Sequence, residues 1–570
     1  MSLYKDASLV MIPTAYKDGK LYSVRPTDGS GDFTFTRCGG AAGCDLAATR
    51  VDVNGLIEKG RENLITYSND FLNASWNKGS ILSVTDGHSG YDGSNDASLV
   101  VPNTILAGHL ISKNGETYTG LQTYSVYAKN GGYDLQLRAT GIGSTTIWVS
   151  FDLTNGVVGT TGGGHIDSSI TSLVGGWYRC SMTFTTAASP YIGIYQVPNG
   201  ATAGQGEAFV GDGTSGLYIQ DAQVEVSLVA TDYIETGAST AQAGILEDMP
   251  RLDYSGGASC PSLLLEPQRS NLVDDYSGYT WDSFNGSAIS FTGTEQSPEG
   301  FNNAVTWRFA GSSGEVVQRS SISISNSTTY TISGYFKLTS GTLTSGSNQI
   351  KGLDGLTGGS VSLNTLTNEW QRLSFSVTSS STSGRVQLRC DNSATIQVYG
   401  LQLEAGSYKT SIIPTYGTSV TRNVDSCEAD DAALIGQTEG TIFWEGQSIG
   451  DNDTPYIALY NNTTNRVLIY YSSGNVSAQV RVASVVEFQS ASQSVSGKIK
   501  MALGYKNGSY AFYVNGVQVT ISSNSFSGFV SPQLNKIDLG YASQDGGRNN
   551  QLLVFKTRLS NAELAALTTI

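Results

Sequence analysis

Apolar and polar residues alternate along the stretch KIKMALGYKNGSYAFYVNGVQVTI, at 498–521. This period of two places the apolar side chains on one face of a strand. Asn-Gly pairs at 507–508 and 515–516 supply the positive φ angles that two-residue hairpin turns demand. The stretch therefore predicts an antiparallel meander with one buried face. The alternating residues are Tyr510, Phe512 and Val514, followed by Val517, Val519 and Ile521.

Short alternating runs also occur near the N-terminus, in KLYSV at 20–24 and DFTFT at 32–36. Helical periodicity is confined to the last residues, where Ser560 and Glu563 have the spacing of a capping box and predict one short helix. The chain contains 67 glycines and 30 tyrosines, and only 14% of its residues are charged, a composition typical of strands and turns. These features predict an all-β protein.

An internal repeat covers much of the chain. QVEVSLVATDYIET at 223–236 matches QLEAGSYKTSIIPT at 402–415 without a gap. Upstream of each copy, further landmarks recur in the same order, which indicates a duplicated domain. The paired landmarks are Glu58-x-x-Arg61-x-Asn63-Leu64 and Glu266-x-x-Arg269-x-Asn271-Leu272, Trp76 and Trp281, TYSVYAK (123–129) and TISGYFK (331–337), and WYRCS (177–181) and WQRLS (370–374).

A chain of 570 residues is long enough for three or four domains. Runs containing Pro and Gly separate the repeats from each other and from the C-terminal meander. We therefore predict tandem jelly-roll β-sandwiches with connectors between them. The predicted boundaries are an N-terminal module at 1–61, a first repeat at 62–237, a connector at 238–270, a second repeat at 271–416, a connector at 417–439 and a last domain at 440–570.

The net charge of −15, without a cluster of Lys or Arg, argues against nucleic acid as a partner. Apolar runs stay well below the roughly 20 residues of a membrane span, so we expect no membrane insertion. The first residues do not have the pattern of a secretory leader. We expect the six cysteines to be mostly free thiols, as in a protein that folds in a reducing cytoplasm. Cys38 and Cys44 alone are close enough in sequence to suggest a local pair.

Three resemblances follow from these motifs. LLVFKTRLSNAELAAL at 552–567 is similar to the end of concanavalin A-like, laminin-G-like sandwiches. NLITYSNDFLNASW (63–76), TYSVYAK and YIQDAQVE (218–225) resemble carbohydrate-binding modules of families four, nine and twenty-two. The combination of these modules with YKDGKLYSVRPTDGSGDFTFTR and ATR-x-x-x-x-GLIE (48–58) looks like virion structural proteins of tailed bacteriophages.

The resemblance to carbohydrate-binding modules implies a possible structural calcium ion in the first repeat. Asp221 matches the acidic residue of the last strand in those modules, and Asp70 lies near the first strand. Gly400 occupies the position of Asp221 in the second repeat, so we expect the ion only in the first. Calcium takes six to eight oxygen ligands, and two acids with nearby carbonyls are a minimal set. No other cofactor is implied.

Aromatic residues are the other candidates, because their rings stack on the apolar faces of sugars. Tryptophans at matched positions of the two repeats, Trp76, Trp281, Trp177 and Trp370, are expected in a shared core. Aromatic residues specific to one copy are the candidates for ligand binding: Tyr91, Tyr191, Tyr279 and Trp307.

In the last domain the candidate ligand-binding residues are the tyrosines of TPYIALY (454–460) and IYYSS (469–473), with two aspartates as polar partners. Adjacent tyrosines in a strand point to opposite faces, so at most one of Tyr470 and Tyr471 lies in the core. The full set is Tyr456, Tyr460, Tyr470, Tyr471, Asp538 and Asp545.

Catalytic motifs are not evident in the sequence. The three histidines, His88, His109 and His165, all lie in the first repeat, and neither a nucleophile elbow nor a nucleotide-binding motif accompanies them. Sequence alone leaves open a pair of carboxylates such as glycosidases use. We expect a protein that is not an enzyme.

The resemblances imply a phage virion protein, a tail fibre or similar appendage assembled in the host cytoplasm. The N-terminal module would bind other virion proteins, and the jelly rolls would bind a host cell-surface glycan. A homo-oligomer, with a trimer as the working guess, would add avidity. The alternatives are a purely architectural tail or capsid fibre without sugar binding, and a polysaccharide depolymerase tailspike.

Overall fold

The structure is a computed structural model of the 570-residue chain. It describes all residues except 1–2, 18, 38–45, 115–119, 143–144, 187–190, 201, 203, 247, 450–455, 473, 525–528, 530–532 and 541–546. About half of the chain is strand, and the described part contains a single α-helix, so the protein is all-β. That helix is too short to cross a membrane, and no other described helix is long and apolar enough to do so.

Seven short strands precede the first repeat. They are β1 (Leu9–Met11), β2 (Tyr16–Lys17), β3 (Lys20–Leu21), β4 (Phe33–Thr36), β5 (Thr49–Val51), β6 (Ile57–Lys59) and β7 (Arg61–Asn63). Three 3₁₀ helices occur along the described chain, at Leu3–Lys5, Val174–Gly176 and Ala432–Leu434.

The first repeat forms a sandwich of two six-stranded sheets, in the orders β16-β17-β12-β19-β10-β9 and β15-β14-β13-β18-β11-β8. The chain crosses between the two sheets several times, as it does in a jelly roll. Its strands are β8 (Trp76–Gly79), β9 (Ile81–His88), β10 (Ala97–Pro102), β11 (His109–Lys113), β12 (Gly120–Gly131), β13 (Asp134–Ile142), β14 (Thr145–Asp152), β15 (Val157–Gly162), β16 (Asp167–Ser172), β17 (Trp177–Thr186), β18 (Tyr191–Val197) and β19 (Gly216–Glu225).

The second repeat has the same topology, with five-stranded sheets in the orders β25-β26-β33-β28-β31 and β24-β27-β32-β29-β30. Short strands precede and follow it. The strands of this part are β20 (Ala241–Ala243), β21 (Arg251–Asp253), β22 (Ser262–Leu265), β23 (Arg269–Asn271), β24 (Asp282–Phe284), β25 (Ala288–Ser290), β26 (Val305–Ala310), β27 (Val316–Ser323), β28 (Thr329–Gly341), β29 (Gln349–Asp354), β30 (Ser360–Ser362), β31 (Gln371–Thr378), β32 (Ser383–Arg389), β33 (Ser393–Ala405), β34 (Val420–Arg422) and β35 (Ser426–Asp430).

The last part of the chain forms a larger sandwich. Its strands are β36 (Glu439–Ser448), β37 (Tyr456–Asn462), β38 (Asn465–Ser472), β39 (Asn475–Val482), β40 (Val485–Ser490), β41 (Gln493–Ser494), β42 (Ile499–Lys506), β43 (Ala511–Val514), β44 (Val517–Val519), β45 (Ile521–Asn524), β46 (Lys536–Asp538) and β47 (Gly547–Phe555), and helix α1 spans Asn561–Thr568. Ser560 and Glu563 form the predicted capping box at the start of this helix.

Strand pairing departs from the predicted boundaries in this last sandwich. One sheet has the order β21-β22-β47-β36-β42-β43-β44, and β1 also pairs with β47. The other sheet begins β2-β3-β4-β35-β46-β37. The predicted N-terminal module and both connectors therefore contribute strands to this sandwich. These segments are too short to bury a core of their own, and they complete the edges of two larger sheets instead.

The matched stretches at 223–236 and 402–415 make the same hydrogen bonds, as the repeat predicts. The Gln223 amide donates to Glu225 at 2.8 Å, and Gln402 donates to Glu404 at 2.6 Å. The backbone N–H of Thr231 donates to Glu225 at 2.8 Å, and that of Thr410 donates to Glu404 at 2.8 Å. Each buried glutamate therefore fixes the exit of the chain from the last strand of its jelly roll.

The buried asparagine that opens each jelly roll is equally conserved between the copies. Asn63 donates to the carbonyls of Ala222 and Ile234 at 3.1 and 2.8 Å. Asn271 donates to those of Leu401 and Ile413 at 3.1 and 3.0 Å. These bonds tie the first residues of each jelly roll to its last strand.

The meander at 498–521 forms with one two-residue turn rather than two. Asn515 and Gly516 have positive φ and join β43 to β44, as predicted. A four-residue loop, 507–510, joins β42 to β43. Val517 is 64% exposed, so the buried face does not extend to this residue.

Candidate functional site

The outer face of one sheet in each jelly roll carries a tyrosine directly opposite an arginine. Tyr127 on β12 pairs with Arg179 on β17, and Tyr335 on β28 pairs with Arg372 on β31. Each guanidinium lies over its ring, 5.2 Å from the centroid of Tyr127 and 5.5 Å from that of Tyr335. This is the geometry of a cation–π contact.

Period-two alternation explains why these tyrosines lie outside the core. Tyr124, Val126 and Ala128 are fully buried between the sheets, so Tyr127 shares the opposite face with Ser125. The signal was present in the sequence, since TYSVYAK and TISGYFK both place a tyrosine two residues after a serine. The expectation that matched aromatic residues lie in a shared core passes over this signal.

That expectation is correct for Trp76 and Trp281, which are buried between the sheets. Trp177 is buried as well, in a hydrophobic cluster on the outer face, whereas the expectation is wrong for Trp370, which is only half-buried on the matching outer face. Trp177 packs with Tyr127 there, and Trp370 is half-buried beside Tyr335. Both tryptophans lie at the start of the outer-face strand, where the face covered by the second sheet ends.

A cleft of about 410 Å³ lies where the second jelly roll meets the C-terminal sandwich. We call it the second cleft, because it belongs to the second jelly roll. Its floor is the outer face that carries Tyr335 and Arg372, and the exit segment with Tyr408 and Lys409 forms one wall. Arg50, Asp253 and Arg548 lie on the opposite side. The serines and threonines that line it are Thr49, Ser255, Thr331, Ser374, Ser376, Ser407, Thr410 and Ser411.

The matching face of the first jelly roll forms a first cleft of about 450 Å³, which the second jelly roll closes with Gly293, Gly300 and Phe301. The tyrosine of the first cleft, Tyr127, is less accessible to a ligand than Tyr335. Tyr91 stacks on Tyr127 with ring centroids 3.7 Å apart and planes 2° from parallel, and Tyr127 is only 8% exposed. Tyr335 is half-buried, and no described ring stacks face to face on it. The second cleft therefore offers the more open stacking surface.

Tyr91 and Asp221, both selected from the sequence, come together beside the first cleft. The Tyr91 hydroxyl donates to Asp221 at 2.9 Å. Burial raises the pKa of Asp221 to about 7. The hydrogen bond from Tyr91 lowers this pKa, and the nearby charges of Asp96 and Asp92 raise it by smaller amounts. Asp221 has a φ of 55° at a bulge of β19, and the matched Gly400 has a φ of 67° at the equivalent bulge of β33.

The raised pKa of Asp221 predicts a pH dependence of stability. Between its ordinary pKa near 4 and the folded value of about 7, the unfolded chain releases this proton while the folded chain keeps it. The free energy of unfolding should therefore fall as pH rises through this window, by up to about 1.4 kcal/mol per pH unit from this group. Asp221→Asn should flatten that slope in urea unfolding measured from pH 4 to 8. An unchanged slope would show that other groups cause it.

The predicted calcium residues do not form a ligand set. Asp70 is exposed and accepts hydrogen bonds from Asn73 at 3.0 and 3.2 Å. No group of three or more acidic, cysteine or histidine residues in the described part of the chain could hold a metal ion. A single buried carboxylate is far from the six to eight oxygens that calcium takes. Calcium at Asp70 and Asp221 stays a prediction that this geometry does not support.

The prediction that Trp307 binds ligand from an exposed position is wrong. Its side chain is fully buried, its ring centroid lies 5.4 Å from that of Trp281, and its indole N–H donates to the carbonyl of Gly278 at 3.1 Å. Tyr279 is half-buried and edge-on to Phe291. Tyr191 is half-buried at the start of β18, hydrogen-bonded to Tyr195, and lines neither cleft.

Of the candidates in the last domain, Tyr460 and Asp538 come together. Tyr460 is half-buried and donates to Glu428 at 3.3 Å. Burial raises the pKa of Asp538 to about 6, with a hydrogen bond from the Gly540 N–H acting in the opposite direction. Asp538 is 7% exposed, so a ligand would reach little of it.

The paired tyrosines of β38 behave as alternation requires. Tyr471 is 7% exposed and belongs to the core, which corrects its selection as a ligand-binding residue. Tyr470 is half-buried on the other face and accepts a hydrogen bond from Gln489 at 3.2 Å. Tyr456 begins β37, but its side chain lies outside the described set, as does all of Asp545.

The described cysteines are consistent with free thiols. Cys180, Cys390 and Cys427 are buried, Cys260 is exposed, and none of the four forms a disulfide. Burial raises the pKa of the Cys180 and Cys427 thiols well above the ordinary value, which makes them unreactive. The suggested pair of Cys38 and Cys44 lies outside the described residues.

No family model matches the chain, and a search of curated proteins gave no match. Among solved structures, a carbohydrate-binding module of a Ruminococcus gnavus IT-sialidase, bound to sialyllactose, is 19% identical to this chain. The match covers 24% of this chain and 86% of the module's chain, with a TM-score of 0.22. The N-terminal tandem domain of two family-22 carbohydrate-binding modules from Paenibacillus barcinonensis Xyn10C is 11% identical, covers 64% of this chain and 100% of the tandem domain, and has a TM-score of 0.20. The LG1-3 region of the laminin α2 chain is 8% identical, covers 80% and 97%, and has a TM-score of 0.17. These values are too low to carry an argument about function.

Proposed function

We propose that this protein is a non-catalytic glycan-binding protein and that its second cleft holds a sugar against Tyr335. One observation carries the proposal: a half-buried tyrosine ring, with an arginine over it, and several hydroxyls line a cleft of about 410 Å³. Ligand pockets commonly have volumes of about 300–1,000 Å³ and combine an apolar surface with a few polar groups. Tyrosine supplies a stacking face, and serine and threonine hydroxyls can exchange hydrogen bonds with sugar hydroxyls.

The proposal extends to a biological setting. We propose that the protein belongs to a phage virion, as a tail fibre or comparable appendage that adheres to host surface glycans, with other virion proteins as its partners. The support is the sequence resemblance of its N-terminal segments and sandwiches. Display of many copies on one particle would make a weak sugar site effective. Gold labelling of this protein on particles, seen by electron microscopy, tests that setting.

Binding of the full chain to a glycan array tests the function, with Tyr335→Ala as the variant. Removing the ring should weaken binding about tenfold, because a stacking contact of an aromatic ring contributes up to about 1.5 kcal/mol. Tyr22→Ala is the matched control, since Tyr22 is 38% exposed and lines neither cleft, and it should bind like the parent chain.

The alternatives predict different results. Absence of binding by the parent chain to any glycan at millimolar concentration would contradict the proposal and favour an architectural protein. Released oligosaccharide would favour a depolymerase. Equal binding by Tyr335→Ala and the parent would place the sugar elsewhere.

A further inference from the structure

Two cations line the second cleft without a carboxylate partner in the described part of the chain. Arg372 donates to the Ser333 hydroxyl at 3.2 Å, and its buried Nε makes no hydrogen bond among the described residues. Lys409 donates to the Ser374 hydroxyl at 3.1 Å. Arg372 and Ser374 are two residues apart on one face of β31, about 7 Å along the strand, and Ser333 lies directly opposite Ser374, so the hydroxyls that bind the two cations are neighbours.

The other charges of the second cleft are already neutralised. Arg50 pairs with Glu58 at 2.8 Å, and Arg548 pairs with Asp253 at 3.0 Å. Glu266 is buried between two further arginines, Arg251 and Arg422. The unpaired charge that faces the cleft is therefore positive, in a protein whose net charge is −15.

Holding two like charges together in a partly buried cleft is unfavourable unless an anion joins them. The pKa of Lys409 reflects this cost, because burial lowers it and Arg372 lowers it further. The first jelly roll does not repeat the arrangement. Ala230 occupies the position of Lys409, and the carboxylate of Asp167 lines the first cleft.

We infer that the second cleft is specific for an anionic sugar, whose acidic group lies between Arg372 and Lys409 while its ring contacts Tyr335. This inference rests on the proposed function and adds the class of ligand to it. An arginine can bind a carboxylate or a sulfate through two parallel hydrogen bonds, and a neighbouring ammonium adds a second charge. The first cleft, with Ala230 and Asp167, should not share this preference.

The test is a glycan array that carries carboxylated, sulfated and neutral glycans, probed with the full chain and with Lys409→Ala. Alanine is the residue of the first jelly roll at this position, so the variant should fold with an unchanged melting temperature. We expect the parent to prefer anionic glycans, Lys409→Ala to bind them at least tenfold more weakly, and Lys409→Arg to retain most of the binding. Comparing binding to the carboxylated and the sulfated glycans shows which acidic group the second cleft binds.

Lys556→Ala is the control for a general loss of positive charge, because Lys556 is exposed and lines neither cleft. It should leave anionic binding unchanged. A preference for neutral glycans, or equal binding of anionic glycans by Lys409→Ala and the parent, would overturn the inference while the proposed function stands. Absence of any binding by the parent would overturn both.

Discussion

Replacing Asp425 by alanine is expected to lower the free energy of unfolding by about 3–5 kcal/mol, the usual cost of leaving a buried charge without its partner. One carboxylate oxygen of Asp425 accepts a hydrogen bond from Nε of Arg37 at 2.9 Å, and the other contacts Arg251. All three side chains are fully buried. The variant would leave Arg37 without a salt bridge to any described residue and Arg251 with one fewer.

The effect should be large because the same cluster joins segments that are distant in sequence. Arg37 follows β4, Arg251 lies on β21, and Arg422 on β34 contacts Glu266 at 3.0 Å. Burial alone would raise the pKa of Glu266, but the neighbouring Arg422 and Arg251 outweigh it and hold the pKa well below its ordinary value. Glu266 therefore stays ionised and keeps Arg251 and Arg422 in place.

Urea unfolding followed by fluorescence measures the change. Asp430→Ala is a suitable control, because Asp430 is an exposed partner of Lys536 at 3.4 Å and Lys536 keeps Glu428 at 2.9 Å. Exposed pairs contribute about 0–1 kcal/mol, so the control should lose little stability. A loss below about 1 kcal/mol for Asp425→Ala would mean that water or rearrangement replaces the carboxylate, and that the cluster does not hold these segments together.

The features that sequence could predict are those repeated within the chain. Asn63 and Asn271, or Glu225 and Glu404, recur at matched positions because each makes a buried hydrogen bond that nothing else in the fold replaces. Alternation within β12 and β28 likewise predicts that Tyr127 and Tyr335 lie on the outer face of the sheet. It does not predict which part of the chain covers that face.

The clefts could not be predicted because they depend on contacts between units. Arg548 and Asp253 reach the second cleft only because β22 pairs with β47, across nearly 290 positions of sequence. Trp307 is specific to one copy in the sequence, yet its ring is fully buried and packs against Trp281 between the sheets. Local patterns predict which face of a strand is buried, whereas the partner of that face is decided by tertiary pairing.

The fragment 440–570, which the sequence alone defines as a domain, is expected not to fold by itself. Its sandwich draws core side chains from four other segments: Leu9 and Phe33 from the N-terminal strands, Leu263 from β22 and Cys427 from β35 are all fully buried in it. Burying one large apolar side chain contributes about 1.5–3 kcal/mol, and a domain is stable by only about 5–15 kcal/mol in total. Loss of these strands also uncovers the edge of β47, where β1 and β22 pair.

The fragment 61–243 is the matched control, since it contains every strand of the first jelly roll together with the β7–β20 pair that closes it. We expect this fragment to give a sharp thermal transition and a near-ultraviolet circular dichroism spectrum typical of packed aromatic residues. The fragment 440–570 should instead bind a dye for exposed apolar surface and melt without a cooperative transition. A cooperative transition of 440–570, at a temperature close to that of the full chain, would show that the added strands are peripheral. Folding of 440–570 only when the segments 1–61, 244–270 and 417–439 are supplied in trans would show that they complete its core.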